Sequence, residues 1–176
     1  MTLYNLLGAL NTLFIMVSVL GVYSQLGTIW RRKQMVSKTE RPTALLSLNQ
    51  FTVSFFAYLS FFIYGYSIEP FNHYIVWPRL LAAMLVMGIL FEIWQDRKSR
   101  AARVSVVLAG ACLILAGAGL VLGKTIADQS RYIATLLIVL VSVFIAQGYY
   151  HQIRLILKAG QTGAVDLKMS QFILLM

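Results

Sequence analysis

Charged residues are scarce in this chain of 176 amino acids. Asp, Glu, Lys and Arg make up only 12% of the residues, and 59% are hydrophobic, whereas soluble domains average about 25% and about 45–50%. These proportions exclude an ordinary soluble domain. Because a membrane-spanning helix needs about 20 apolar residues, the chain has room for roughly five to seven spans and for no soluble domain beside them.

Cysteine and histidine are also nearly absent. The single cysteine, Cys112, cannot form an intrachain disulfide, and together with two histidines it is too little for a Cys/His zinc site. The sequence contains no GxSxG, HExxH or phosphate-binding glycine loop, and no span carries paired carboxylates. We therefore expect no cofactor and no metal ion, and no motif points to an enzyme.

Five long apolar runs follow one another along the chain, at about 3–29, 43–68, 74–94, 104–123 and 132–157. Pro42 suits the first turn of the second helix, where its missing N–H needs no partner. A sixth apolar segment starts at Phe172 and the sequence stops at Met176. The runs predict an all-α polytopic transmembrane bundle of five full spans and the start of a sixth.

The short sixth segment leaves two interpretations open. We expect a longer natural product whose final helices are absent from this sequence. The alternative is a five-span protein whose tail lies along the membrane surface as an interfacial segment.

The basic residues are concentrated in three of the predicted loops. The net charge is +9, with fifteen Lys and Arg against six Asp and Glu. Twelve of the fifteen fall in the loops after the first, third and fifth runs, and cytoplasmic loops carry such an excess. We therefore expect the N-terminus outside, the basic loops in the cytoplasm, a bacterial inner membrane as the location, the lipid bilayer as a partner and no nucleic-acid partner.

Polar residues inside the first two runs recur at helical spacing. The first stripe comprises Gly8, Asn11, Ser18, Gly21, Gln25 and Thr28, and the second comprises Ser47, Gln50, Ser54, Ala57 and Tyr58, with Asn49 beside it. Polar groups in hydrocarbon need partners, so such stripes mark a helix interface or a wet cavity. We expect the two stripes to face each other; interhelical packing without a ligand is the alternative.

Arg79 lies about five residues, or roughly 7 Å, below the outer end of the third predicted helix. One interpretation is that its side chain extends to the outer headgroups. The other is that it faces the bundle and binds an anion, since no acidic residue is predicted at its depth. In the fourth run, Gly119 and Gly123 form a GxxxG pair that suits close helix packing, within the monomer or in a dimer.

The layout resembles the PQ-loop superfamily, which includes the SWEET and SemiSWEET sugar transporters. That family has a Pro-Gln pair near the inner end of the first helix and a basic loop after it. Here Ser24-Gln25 and the cluster Arg31 to Lys33 stand at those places. Tyr64-Gly65 matches the end of the family's second helix, and Pro78-Arg79 stands where its third helix opens with Pro-Asn.

The resemblance implies a 3+1+3 arrangement with the last helix absent. Residues 1–98 are the first three-helix unit, 99–125 a linker helix, and 126–176 the start of a second unit with Ala146-Gln147 in the Pro-Gln place. Ser24 and Ala146 thus replace the two prolines that are thought to provide the hinge for alternating access in that family. In the family, the Asn of this Pro-Asn pair lines the substrate pocket. Arg79 in its place implies an anionic solute rather than a neutral sugar.

Three functions remain open from the sequence. The first is a small-metabolite transporter with alternating access, in which five side chains contact the solute: Gln25, Asn49, Gln50, Arg79 and Gln147. The second is a non-transporting scaffold, a receptor-like protein or a subunit of a larger membrane complex, as a homo-oligomer or with another partner. The third is a lipid-processing enzyme that binds a phosphate headgroup with Arg79 and His73.

Overall fold

In a computed structural model, residues 3–35, 41–122 and 127–174 are described, and all of their regular structure is helical. The six helices are α1 (Leu3–Met35), α2 (Leu48–Ser67), α3 (His73–Arg97), α4 (Arg100–Leu122), α5 (Ala127–Ala159) and α6 (Leu167–Leu174). The predicted all-helical class is therefore confirmed. The expected role of Gly123 lies outside the described residues.

Two helix starts differ from the prediction. Pro42 does not begin α2; it lies in a turn, and α2 begins after Ser47, whose hydroxyl accepts a hydrogen bond from the Gln50 N–H at 3.2 Å. Such an N-cap satisfies a helix-end donor that proline cannot. Likewise α6 begins at Leu167 rather than at Phe172, because the side chain of Asp166 accepts a bond from the Lys168 N–H at its start.

Four helices are long and apolar enough to cross a membrane: Asn5–Met35, His73–Arg97, Arg100–Leu122 and Tyr132–Ala159. Helix α2 has 20 residues and is not one of these four, although it is rich in aromatic and aliphatic residues. It lies at the centre of the bundle, in contact with α3, α4 and α5, and more than half of its residues are buried. Because its neighbours shield it, α2 needs little surface that suits lipid. A fifth span over this segment stays a prediction.

Helix α3 lies between α1 and α2. It contacts both of them, whereas α1 and α2 are not in backbone contact, and α1 packs instead against α3 and α6. The two helices therefore do not pack backbone to backbone along the polar stripes, although Ser18 of the first stripe and Tyr58 of the second lie beside each other. Small buried residues on α3, Ala82 and Ala83, allow it to fill the space between its neighbours.

The outer surfaces of α4 and α5 are apolar and exposed. Helix α4 buries only Ala102, Ala109 and Ala116, at seven-residue spacing, and large side chains such as Ile114 and Leu115 are about 70% exposed. Exposed apolar faces of this extent are compatible with contact with lipid. They are what an integral membrane protein requires.

The loops 41–47, 98–99 and 160–166 lie at one end of the bundle, which we call the basic end. There the side chain of Asp96 accepts a bond from the Thr43 N–H at 2.9 Å, and the Arg97 guanidinium donates to the carbonyl oxygens of Thr43 and Leu46. Buried loop backbone needs such partners. The last turn of α3 therefore fixes the loop that leads into α2.

Candidate functional site

Gln25 of α1 binds the backbone of the loop before α6. Its Nε2 donates to the carbonyl oxygen of Ala164 at 2.5 Å, and its Oε1 accepts from the N–H of Asp166 at 2.7 Å. A glutamine amide offers both a donor and an acceptor, so one side chain satisfies two groups of the loop backbone. The Gln25 side chain, expected to contact a solute, is thus engaged by the protein itself.

Gln152 of α5 makes the same pair of bonds to the loop before α2. Its Nε2 donates to the carbonyl oxygen of Leu45 at 2.7 Å, and its Oε1 accepts from the N–H of Ser47 at 2.6 Å. In both loops the bonded groups are a carbonyl and the N–H two residues later, directly before a helix. We call these two arrangements the glutamine clamps.

Each clamp glutamine is preceded, one helical turn earlier, by a glycine that lies close to a neighbouring helix. A Cβ on Gly21 would lie 3.1 Å from Cα of Met169 in α6, and a Cβ on Gly148 would lie 3.1 Å from Cα of Gln50 in α2. Helix α1 therefore meets α6 as α5 meets α2.

The second clamp uses a different glutamine of α5 from the one that the resemblance places in the Pro-Gln position. Gln147, placed in the Pro-Gln position by the resemblance, is exposed and accepts a bond from Nδ2 of Asn49 at 3.0 Å. The counterpart of Gln25 is Gln152. A repeated pattern, Gly-x-Tyr-x-Gln, could have identified it, because it covers residues 21–25 and again residues 148–152.

Arg79 faces the inside of the bundle. It is 9% exposed, and its guanidinium carbon lies 4.7 Å from the ring centre of Phe61 and 5.5 Å from that of Tyr58. The interpretation in which this side chain extends to the headgroups is therefore wrong. The flat guanidinium packs on aromatic faces from α2, a contact worth about 0.5–2 kcal/mol.

The Arg79 charge has no acidic partner in the part of the chain that the structure describes. The one ion pair there joins Lys33 to Glu92 at the basic end, and Arg79 Nε is buried without a hydrogen-bond partner. A charged side chain within a membrane costs about 2.5–3.5 kcal/mol, and more by other scales. Such residues face an interior or a cavity and mark functional sites, so Arg79 is the candidate anion-binding group.

Polar side chains from neighbouring helices surround this position. Ser18 of α1, whose hydroxyl donates to the Ile15 carbonyl oxygen at 2.7 Å, lies beside Tyr58, and Tyr149 of α5 lies beside Gln50. Gln50 and Tyr58 share one face of α2, eight residues or about 12 Å apart. The Oε1 of Gln50 is buried without a partner. The polar positions thus include Arg79 and Gln50 of the expected residues, together with three tyrosine or serine side chains that we had not assigned to a solute.

The remaining expected residues lie elsewhere. Asn49 and Gln147 bind each other at the exposed edge between α2 and α5. A Cβ on Gly119 would lie 2.8 Å from the Tyr66 hydroxyl oxygen, so this glycine packs within the chain. His73 is exposed and accepts a bond from the Trp77 indole, six residues before the buried Arg79.

Comparisons with protein-family models, curated proteins and solved structures find no match to this chain.

Proposed function

We propose that the chain is an integral membrane carrier for a small anionic solute, with two related helical units of the PQ-loop type and alternating access. The observation that supports it best is Arg79, which is buried, lacks a carboxylate partner and keeps an unbonded Nε. A hydrogen bond to a charged group is worth about 1.5–3 kcal/mol, so a carboxylate or phosphate on a solute gains by reaching it.

The aromatic rings define what Arg79 can accept. The Arg79 guanidinium lies over the rings of Phe61 and Tyr58, and its Nε remains without a hydrogen-bond partner. A planar edge suits a carboxylate or a phosphate in two-point contact. The amide of Gln50 and the hydroxyl of Tyr149 would bind a more distant polar part of the same solute.

The glutamine clamps give the carrier a closed end. They bind the loop before α6 to α1 and the loop before α2 to α5, and Thr43, Leu46 and Ala164 are buried at this end. Alternating access requires these clamps to separate while the opposite end closes. In the orientation that we propose, with the N-terminus outside and the basic loops cytoplasmic, the described arrangement is closed toward the cytoplasm of a bacterial cell.

Thermal unfolding of the purified protein in mild detergent tests solute binding. Tryptophan fluorescence would follow the midpoint with succinate, glutamate, glucose 6-phosphate or neutral glucose. At a concentration 100-fold above Kd, a solute adds about 2.7 kcal/mol of stability, or roughly 5–10 °C. We expect one anion class to raise the midpoint of the wild type and of the exposed-charge control Arg31→Gln, and to have no effect on Arg79→Gln.

The opposite outcomes separate the alternative. If the Arg79→Gln variant keeps the shift, or if glucose alone stabilises the protein, Arg79 does not recognise the solute. If no anion shifts the wild type, the non-transporting scaffold or subunit is favoured. The close packing of Arg79 on two rings and the serine and alanine at positions 24 and 146 support that alternative.

A further inference from the structure

A groove lies at the basic end between α3 and α4, away from Arg79. Its volume is about 940 Å³, and its walls carry two aromatic rings and three cations. The rings belong to Phe91 and Trp94, with centres 5.5 Å apart, and the cations to Lys98, Arg100 and Arg103. The groove therefore joins an apolar wall to a strongly positive one.

The positive charge of the groove is not neutralised by nearby acids. Glu92 binds the Trp30 indole and pairs with Lys33 of α1, while Asp96 binds Thr43. Both carboxylates on the last turns of α3 are thus committed to other partners. Among the described residues, no carboxylate pairs with any of the three cations of the groove.

The backbone holds the cations together at a cost. Only Lys98 and Ser99 separate α3 from α4, and Lys98 has φ 48°, a left-handed conformation that glycine adopts without strain. Its N–H donates to the Trp94 carbonyl oxygen at 2.8 Å and ends α3. Arg100 and Arg103 follow three residues apart and so share one face of α4. The positive end of the α4 dipole adds to their field.

We propose that this groove binds the phosphate headgroup of an anionic membrane lipid. The three cations bind the phosphate, and the Phe91 and Trp94 rings contact the first part of the acyl chains. Exposed apolar residues of α4, including Val104 and Val107, continue the surface toward the membrane interior. Basic pockets between membrane helices bind such headgroups, and a tryptophan at this level suits the membrane interface. The site is independent of solute transport.

Quenching of Trp94 by brominated lipid tests the proposal. The protein, with Trp30→Phe and Trp77→Phe, would be placed in nanodiscs of phosphatidylcholine. Brominated phosphatidylglycerol or brominated phosphatidylcholine is then added at increasing mole fraction. We expect half-maximal quenching by the anionic lipid at a mole fraction at least tenfold lower than by the neutral one, since each cation near an anionic surface contributes a factor of about five.

The combined variant Lys98→Gln, Arg100→Gln and Arg103→Gln should lose this preference. The matched control removes three exposed charges elsewhere at the basic end, by Arg31→Gln, Arg41→Gln and Lys158→Gln, and should keep it. If the combined variant fails to fold, the pair Arg100→Gln and Arg103→Gln replaces it, with an expected loss of at least fivefold.

Three outcomes would overturn the site. One is equal quenching by both lipids, and another is an equal loss of preference in the groove variant and its control. The third is complete displacement by millimolar inorganic phosphate, which would assign the groove to a soluble phosphate instead of a lipid.

Discussion

Replacing either clamp glutamine by leucine should destabilise the fold by a similar amount. Gln25→Leu leaves the Ala164 carbonyl and the Asp166 N–H without partners, and Gln152→Leu does the same to Leu45 and Ser47. An unsatisfied buried group costs about 1–3 kcal/mol. One bond of each clamp is buried and the other partly buried, so we expect about 2–4 kcal/mol for each variant.

Thermal unfolding followed by circular dichroism in detergent measures this cost. A loss of 2–4 kcal/mol corresponds to roughly 5–15 °C in the midpoint for a chain of this size. Gln147→Leu is the matched control, because Gln147 is exposed and should change stability by less than about 0.5 kcal/mol. A Gln25→Leu variant as stable as this control would refute the clamp, and clearly unequal losses for Gln25 and Gln152 would refute their equivalence.

Four further substitutions test the packing. Gly148→Val should lower stability by about 1–3 kcal/mol because its side chain meets the Gln50 backbone, whereas Gly117→Ala, in open space, should raise it by up to about 1 kcal/mol; chemical denaturation compares them. Arg97→Gln should speed hydrogen exchange in the loop 41–47 by about tenfold or more, since carbonyl bonds are lost. Gly119→Leu should lower the unfolding midpoint without changing the mass measured by light scattering, and dissociation of an oligomer would contradict this.

Composition predicted the class of the fold, and local chemistry decided the helix ends. Long apolar runs leave no alternative to helices in a membrane, since only helices satisfy every backbone group within one segment. Pro42 was a plausible helix start, but Ser47 is the better cap because its side chain accepts a hydrogen bond and proline's cannot. Periodicity alone does not show which of several polar residues takes that role.

The spacing of polar residues in the sequence could not predict which helices are neighbours in the bundle. A polar stripe does not show which helix packs on it, and here α3 contacts both α1 and α2, which meet each other through side chains such as Ser18 and Tyr58. The correspondence between the two clamps was visible in the sequence. Aligning glutamines by the Pro-Gln position selected Gln147, whereas the spacing from Gly148 selects Gln152, because the glycine permits the close approach that brings the amide to the loop.

Arg79 was identifiable from the sequence, but its surroundings were not. A single arginine in an apolar run indicates a functional site, because placing its charge in a membrane is energetically unfavourable. Phe61 and Tyr58 belong to another helix, and aromatic residues are so frequent in α2 that nothing in the sequence singles out these two. Only the packing of α3 on α2 selects the rings on which the guanidinium lies.

Uptake into proteoliposomes tests the central claim most directly. Wild-type, Arg79→Gln and Arg31→Gln proteins would be reconstituted in equal amounts, and uptake of the radiolabelled anion that stabilises the wild type best would be timed against glucose. The account predicts saturable anion uptake by the wild type and by Arg31→Gln, uptake at the level of empty liposomes for Arg79→Gln, and no glucose uptake. Anion uptake by Arg79→Gln at the wild-type rate would contradict it.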